Sequence, residues 1–284
     1  MRNTPATKEA GDRPPVTGPA RQRLQVFDPV RPDGPHCAIG LPPAQHRSKG
    51  WVIVSLVTYA CTDSIAVITM DDGKANVLSP DMQSELHGAL DQAVDDQAVV
   101  ILQGRETTFS GGFDLAVLRS GGAAAVQMLK GGFVLSERLL TFPRPVIGVC
   151  SGHAIAMGVF LLLSTDYRIG ASGSYRITAN EVAIGLTMPR AAVEILRQRL
   201  TPAAFNRAVI LAEVFSPENA VGCGFLDQVV DRSELSGSAH AAAVGMAGLD
   251  AAAHRMTKER ARMQALVALR EAMKADGDEY DQLA

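Results

Sequence analysis

Cysteine is scarce in this sequence, and its few copies are widely separated. The 284 residues contain four cysteines, Cys37, Cys61, Cys150 and Cys223, and none of them forms a C-x-x-C pair. This spacing argues against a disulfide framework and offers no recognisable ligand set for a metal ion. It favours a reduced protein of the cytoplasm with no bound metal.

The sequence also lacks a strong excess of charge of either sign. Its formal net charge is -3, and 20% of its residues are charged. Proteins that bind nucleic acid typically carry a basic patch, so this balance gives no reason to expect a nucleic-acid partner. The hydrophobic fraction of 47% is typical of a globular protein with one large domain or two small ones.

No clear membrane span is present either. The longest candidate covers residues 146–163, which carry no formal charge but barely reach the length of a span. Gly148, Gly152 and Gly158 interrupt this run. We therefore expect a buried strand, a turn and a buried helix here, and no membrane partner. The N-terminus has no apolar core of the kind found in secretory signals.

Residues 1–50 differ from the rest of the chain. They hold nine of the 15 prolines, and eight basic residues stand against four acidic ones. The segment shows no apolar periodicity, so we expect it to be a disordered N-terminal extension. A native tail and a start site read too far upstream are both consistent with this pattern.

Strand patterns and helix patterns alternate after this segment. The expected buried strands are apolar runs bounded by turn residues: Ile65–Met70, Val99–Leu102, Val146–Val149 and Tyr167–Ile169. A serine or threonine followed by proline predicts a helix start at Ser79, Thr201 and Ser216. After Pro189 the pattern is almost entirely helical, with Leu226–Val230 as the main exception. The order predicts an α/β protein with a repeated strand-strand-helix core and a helical C-terminal region.

The segment from Phe109 to Leu115 contains the pair Gly111-Gly112 between an expected strand and an expected helix. Glycines permit close backbone approach, and N–H groups at such a junction suit an anion or a polarised carbonyl. The segment from Ser151 to Gly158 forms a second junction of this kind. Asp114 is best explained as a helix cap rather than a catalytic group.

The third segment is Asn180–Leu186, which contains the carboxylate Glu181 among apolar residues. Val182, Ala183 and Ile184 follow it directly, and we expect these neighbours to raise the pKa of Glu181 toward the working pH.

Together these three segments resemble the crotonase family, the enoyl-CoA hydratases and isomerases. The resemblance covers about 57–275 and implies a crotonase-like spiral core of repeated ββα units over 57–200. It implies a helical oligomerisation region over 201–284, with a trimer or a dimer of trimers as the assembly. Met256, Met263, Leu266, Val267 and Leu269 are the apolar residues expected to need a partner surface there.

The resemblance also implies roles for individual residues. Backbone N–H groups of Phe113 and Met157 fall at the two oxyanion-hole positions, Glu181 falls at a catalytic carboxylate, and Gly112 and Phe160 line the substrate pocket. Lys74, Ala75 and Asn76 lie in the family loop near the adenine of coenzyme A. Lys258 falls where relatives place a phosphate-contacting lysine, although a solvated helix face is the simpler interpretation. No cofactor is expected, because coenzyme A is part of the acyl-CoA substrate.

Phe160 distinguishes this chain from the hydratases of the family, which carry two catalytic carboxylates. Here the first carboxylate position is Phe160, and Glu181 alone remains. Single-carboxylate members are the Δ3,Δ2-enoyl-CoA isomerases, which move a double bond with one base. The sequence therefore favours an isomerase. The alternatives are an enoyl-CoA hydratase whose second group comes from elsewhere and a catalytically silent acyl-CoA-binding or scaffold protein.

Overall fold

A computed structural model describes residues 55–282. The expected disordered extension at residues 1–50 lies outside this range. The strands of the described part are β1 (Val57–Thr62), β2 (Ile65–Met70), β3 (Val99–Gln103), β4 (Thr108–Ser110), β5 (Val146–Cys150), β6 (His153–Ile155), β7 (Tyr167–Ala171), β8 (Ile177–Thr178) and β9 (Gln228–Val230). Its α-helices are α1 (Pro80–Asp95), α2 (Leu115–Ser120), α3 (Gly122–Thr141), α4 (Met157–Leu163), α5 (Arg190–Arg197), α6 (Pro202–Leu211), α7 (Pro217–Cys223), α8 (Leu235–Ala247) and α9 (Ala251–Asp281).

The predicted helix starts are confirmed by their caps. The side chains of Ser79, Thr201 and Ser216 each accept a hydrogen bond from a backbone N–H in the first turn of the following helix. Asp114 does the same for α2, since its carboxylate accepts from Ala116 N–H at 2.7 Å. These bonds satisfy N–H groups that have no partner inside a helix.

Six strands form a large sheet in the order β1-β2-β3-β5-β7-β9. The β1-β2 pair is antiparallel, and the other pairs are parallel. Strand β9 comes from the predicted helical C-terminal region and pairs with β7, so this region also completes the core sheet. Helix α1 packs on β1 and β2, and α8 packs on β3, β5 and β7.

A second, smaller sheet contains β4, β6 and β8, all parallel, with β6 in the centre. The β1-β2 pair lies entirely in the large sheet, whereas each later strand pair gives its first strand to the large sheet and its second to the small one. The pairs are β3 with β4, β5 with β6, and β7 with β8. This arrangement accounts for the repeated strand-strand-helix pattern predicted from the sequence.

The uncharged run at residues 146–163 folds inside the protein, as predicted. It becomes the buried strand β5, the short strand β6 and the fully buried helix α4. Within residues 55–282, none of the helices combines the length and the apolar character that a bilayer crossing requires.

The end of α9 is fastened to the start of α5 by a buried carboxylate. Asp276 is 3% exposed and accepts hydrogen bonds from the backbone N–H groups of Arg190 and Ala191, at 3.1 and 2.9 Å. The Arg190 guanidinium donates a further bond to the same carboxylate at 3.0 Å. Asp276 thus caps α5 from a distant part of the chain and holds the last turns of α9 in place.

One expectation for α9 is corrected by its packing. Leu266 and Leu269 face the interior of the same chain, with 6% and 1% exposure, and so need no partner subunit. Met256, Met263 and Val267 are exposed, as a partner-seeking surface requires.

We predict that Asp276→Ala destabilises the protein by about 2 kcal/mol, because it removes several hydrogen bonds to a buried charge. Asp278→Ala is the matched control, since Asp278 is an exposed residue of the same helix. Urea unfolding of both variants measures the difference. Equal midpoints for the two variants would show that the cap on α5 contributes nothing.

Candidate active site

The carboxyl ends of β4, β6 and β8 bring together the three segments identified in the sequence. Gly112-Phe113 follows β4, Ala156-Met157 follows β6, and Glu181 follows β8. Because adjacent parallel strands lie about 4.8 Å apart and end at the same edge, the three segments meet along one line. Residues separated by almost 70 positions in sequence therefore share one small region.

At Gly112, the turn that follows β4 comes into close backbone contact with the turn that follows β6. This residue has φ of +93°, and a Cβ built there would lie 2.9 Å from the carbonyl oxygen of Ile155 and 3.3 Å from the backbone nitrogen of Met157. Only glycine combines that conformation with that contact at little cost. Its role in shaping the junction thus follows from backbone geometry.

The Phe113 and Met157 N–H groups face no hydrogen-bond acceptor within residues 55–282. Phe113 lies between β4 and α2, and Met157 is the first residue of α4. Met157 is buried and Phe113 is half-buried. Backbone N–H groups without an acceptor are uncommon in folded proteins, and two of them on adjoining turns can bind one oxygen atom.

The loop that contains Ala75, Asn76 and Leu78 is hydrogen-bonded to the turn that follows β4. Gly111 N–H donates to Ala75 O at 2.8 Å, and Leu78 N–H donates to Gly112 O at 2.8 Å. The Ser110 hydroxyl donates to Asn76 O at 2.7 Å and accepts from Gly112 N–H at 3.2 Å. Ser110 was not identified from the sequence, because nothing distinguishes it from other serines until its neighbours are known.

The loop residues Lys74, Ala75 and Asn76 do not play equivalent parts. The Asn76 side chain is buried and donates to the carbonyl oxygens of Met70, Thr108 and Phe109. Its amide therefore holds the loop to β4 and is not free for a ligand. Lys74 and Ala75 are exposed beside the site.

The backbone of Ala156 is strained. Its φ and ψ are +51° and -124°, a region that residues with a side chain seldom adopt. Its carbonyl nevertheless accepts from Val159 N–H at 2.8 Å and so begins α4. The strained Ala156 thus forms the turn that precedes Met157 N–H.

Glu181 is a buried carboxylate. It is 7% exposed, and its Oε2 atom has no hydrogen-bond donor in the described part of the chain. Burial disfavours the charged form and raises the pKa of Glu181 to about 7, while a backbone hydrogen bond opposes the shift. A carboxylate with this pKa can exchange a proton near neutral pH.

The cause of this shift differs from the sequence prediction. Val182, Ala183 and Ile184 are exposed, with Ile184 at 53%, so they do not bury the carboxylate. The direction was correct, but the desolvation comes from residues distant in sequence. The turn closes on itself instead, because Leu186 N–H donates to Glu181 O at 2.9 Å and leaves the apolar side chains outside.

Phe160 belongs to an aromatic cluster beside the site. It is 1% exposed, and its ring stacks on Phe133 of α3 with centroids 6.2 Å apart. Phe133 also meets the edge of Phe113 at 6.4 Å. The ring at position 160 therefore fills a packed apolar space and leaves no carboxylate on this side. Phe133 carried no signal in the sequence, since one aromatic residue on a helix usually indicates core packing.

Lys258 lies apart from these segments, and it is not on a solvated helix face. It is 8% exposed, and its Nζ donates to Asp166 Oδ2 at 2.7 Å. Arg262 contacts the other oxygen of Asp166 at 2.8 Å. Burial lowers the pKa of Lys258 to about 8, although Asp166 opposes the shift. In this arrangement the ammonium group is engaged within its own chain.

The fold and the grouping of two unpartnered N–H groups with one buried carboxylate define an acyl-CoA enzyme of the crotonase type. A family model described as enoyl-CoA hydratase/isomerase matches residues 60–283. The chain belongs to the enoyl-CoA hydratase/isomerase family. The crotonase-like α/β fold predicted from the sequence is thereby confirmed.

Similar proteins carry different reaction names. An enoyl-CoA isomerase structure from Mycobacterium tuberculosis is 46% identical, has a TM-score of 0.76 and covers 79% of this chain and 99% of its own. An enoyl-CoA hydratase structure from Mycobacterium marinum is 48% identical, also with a TM-score of 0.76 and with the same coverage. A carnitinyl-CoA dehydratase of Salmonella paratyphi A is 30% identical over 62% of this chain and 68% of its own length.

We predict that Gly112→Ala lowers kcat/KM by at least 100-fold, because the new Cβ separates the two turns that orient the N–H groups. Gly88→Ala is the matched control, since a Cβ at Gly88 in α1 meets no atom within 4 Å. Steady-state kinetics on both variants, together with their melting temperatures, checks the effect. Full activity in a folded Gly112→Ala protein would contradict the placement of the site.

Proposed function

We propose that the protein is a Δ3,Δ2-enoyl-CoA isomerase. The observation that carries the proposal is that one buried carboxylate, Glu181, shares the edge of the small sheet with two unpartnered N–H groups, while position 160 holds an apolar ring stacked on Phe133. These groups together suit a proton transfer that needs one base and hydrogen-bond donors for a developing negative charge on oxygen. The similarity to an isomerase structure also supports this choice over the alternatives.

In the proposed reaction, the thioester oxygen accepts hydrogen bonds from Phe113 and Met157 N–H. Glu181 removes a proton from C2 of a 3-enoyl-CoA, and the electron pair moves onto the thioester oxygen as a dienolate. Donors of this kind typically stabilise such a charge by about 2.7–4 kcal/mol each. Glu181 then returns the proton at C4, and the double bond lies between C2 and C3.

Hydration of a 2-enoyl-CoA needs a second acid-base group in addition to Glu181. Adding water requires one group to activate the water and another to handle the proton at C2, and the loss of one such group typically slows the reaction by about 10²–10⁴-fold. An enoyl-CoA hydratase therefore remains the second candidate, favoured by the similarity to a hydratase structure. A catalytically silent acyl-CoA-binding protein is the third.

The coenzyme A part of the substrate is proposed to lie along the loop that contains Lys74 and Ala75. This loop is exposed and is bonded directly to the first turn of the site. The Asn76 contribution is then structural, through the loop it holds. Lys258 is a weaker candidate for a phosphate contact, because Asp166 already neutralises it.

We predict that kcat/KM for a 3-enoyl-CoA rises with pH through about 7, because the base must be ionised to accept a proton. Glu181→Gln should reduce turnover by at least 1,000-fold while acyl-CoA binding stays within about tenfold, since the amide keeps the shape and loses the base. Product double-bond position by NMR and binding by calorimetry are the measurements. Wild-type turnover in the variant would remove Glu181 from the mechanism, and binding without turnover by the wild type would favour the silent homologue.

We predict that Phe160→Glu creates measurable water addition to a 2-enoyl-CoA and slows isomerisation, because a second carboxylate raises the pKa of Glu181 and admits water. Phe160→Gln is the matched control, because glutamine has nearly the volume of glutamate but no charge. The ratio of hydration to isomerisation is compared in the three proteins. A wild type that hydrates faster than it isomerises would contradict the isomerase proposal and support a hydratase.

A trimer or a dimer of trimers is proposed as the assembly. Exposed apolar side chains on α9, Met256, Met263 and Val267, offer a surface for a partner subunit. We predict a particle of three or six 30.0 kDa chains by light scattering, and partial dissociation after Met263→Glu with Val267→Glu. Glu259→Gln, a change at another exposed position of α9, is the control. A monomer at micromolar concentration would contradict the assembly.

A further inference from the structure

A cleft between α3 and α9 adjoins the aromatic cluster of the candidate site. Its volume is about 320 Å³, and Phe133 and Tyr280 both line it. Phe133 also packs on Phe113 and Phe160, so the ring that lines this cleft belongs to the aromatic cluster beside the site. Tyr280 lies on the last turn of α9 and brings a hydroxyl group to this apolar region.

The Tyr280 hydroxyl is buried and unpartnered. Within residues 55–282 its oxygen has no hydrogen-bond partner, and the same holds for Glu181 Oε2. A neutral phenol can donate one hydrogen bond, and an ionised carboxylate accepts several. Burial without a partner is unfavourable for each group, so one water molecule bonded to both would relieve both.

The helix that carries Tyr280 is bonded to the segment that follows Glu181. Asp276, one helical turn before Tyr280, accepts hydrogen bonds from the first residues of α5, which begins nine residues after Glu181. Burial is the main cause that raises the pKa of Tyr280, and nearby carboxylates, including Glu181, raise it further. The phenol therefore stays neutral and able to donate near neutral pH.

Five of the charged groups around the pair are engaged in ion pairs with one another. Arg190 of α5 bonds Asp276 and Glu279, and Lys130 of α3 bonds Asp281. Lys274 and Asp278 complete the charged lining of the cleft. No hydrogen bond from a charged side chain of the described residues reaches the Glu181 carboxylate. Tyr280 is thus a side-chain donor that α9 can offer to it.

We propose that Tyr280 is a positioning residue whose hydroxyl donates to one bridging water molecule, which in turn donates a hydrogen bond to the Glu181 carboxylate. This bond orients Oε2 and favours its ionised form, which opposes the effect of burial. The proposal rests on the proposed function of Glu181 as a base. It makes the C-terminal helix part of the site, a role that no feature of the sequence indicates.

The test measures the pKa of Glu181 in the ligand-free protein. Infrared difference spectra against Glu181→Gln isolate the carboxyl band, which is titrated in wild type, Tyr280→Phe and Tyr167→Phe. Tyr167→Phe is the matched control, because it removes a hydroxyl on the large sheet that donates to Gln228 at 3.1 Å. Because no turnover is needed, the result is independent of whether the protein is an isomerase.

We expect Tyr280→Phe to raise the Glu181 pKa by about one unit, a tenfold change in the ionisation constant, and Tyr167→Phe to leave it unchanged. If turnover is present, its dependence on pH moves by the same amount. Replacing Tyr280 with 3-fluorotyrosine, a stronger donor of nearly equal size, should lower the pKa and gives a second test if the phenylalanine variant does not fold.

An unchanged Glu181 pKa in both Tyr280 variants would overturn the proposal. A loss of turnover with an unchanged pKa would likewise overturn it and would assign the hydroxyl to the substrate. If the wild type shows no isomerase activity but Tyr280→Phe still raises the Glu181 pKa, the result counts against the proposed function and supports the Tyr280–Glu181 interaction.

Discussion

The site depends on the close parallel pairing of three very short strands. Strands β4, β6 and β8 contain three, three and two residues, yet their common edge holds the Phe113 turn, the Met157 turn and the Glu181 turn. The contact of Gly112 with the Ile155–Met157 backbone sets the distance between the first two turns. Asp276 then closes the region from the C-terminal side by fixing α9 to α5. The remaining large sheet supplies a rigid support on which these small elements are carried.

Burial explains the chemistry better than the identity of neighbouring residues does. Glu181 is desolvated by the packed interior, while the apolar residues that follow it remain in water. Its raised pKa and its unpartnered oxygen are two results of the same burial. Phe160 is buried as well, and its ring stacks on Phe133, so this position carries no acid-base group.

Much of the fold could be predicted from the sequence, since long apolar runs and cap-proline pairs report local structure. Strands β2, β3, β5 and β7 and the starts of α1, α6 and α7 lie where these patterns placed them. Strands β4, β6 and β8 were not recognised, because two or three residues carry no periodicity. The packing of Leu266, Leu269 and Lys258 into the chain was missed for a related reason: helix α9 contacts α3 and α5, which are distant in sequence. The end of α9, which carries Tyr280, is held against α5 by contacts of the same long-range kind.

The most direct test of this account is a crystal structure with a bound acyl-CoA analogue that mimics the enolate. We predict that the thioester oxygen lies within about 3.2 Å of both the Phe113 and Met157 nitrogens, the range of an N–H···O hydrogen bond. The Glu181 carboxylate should then lie over the C2–C4 segment of the acyl chain. An analogue whose oxygen contacts neither nitrogen, or whose C2 lies away from Glu181, would contradict the account.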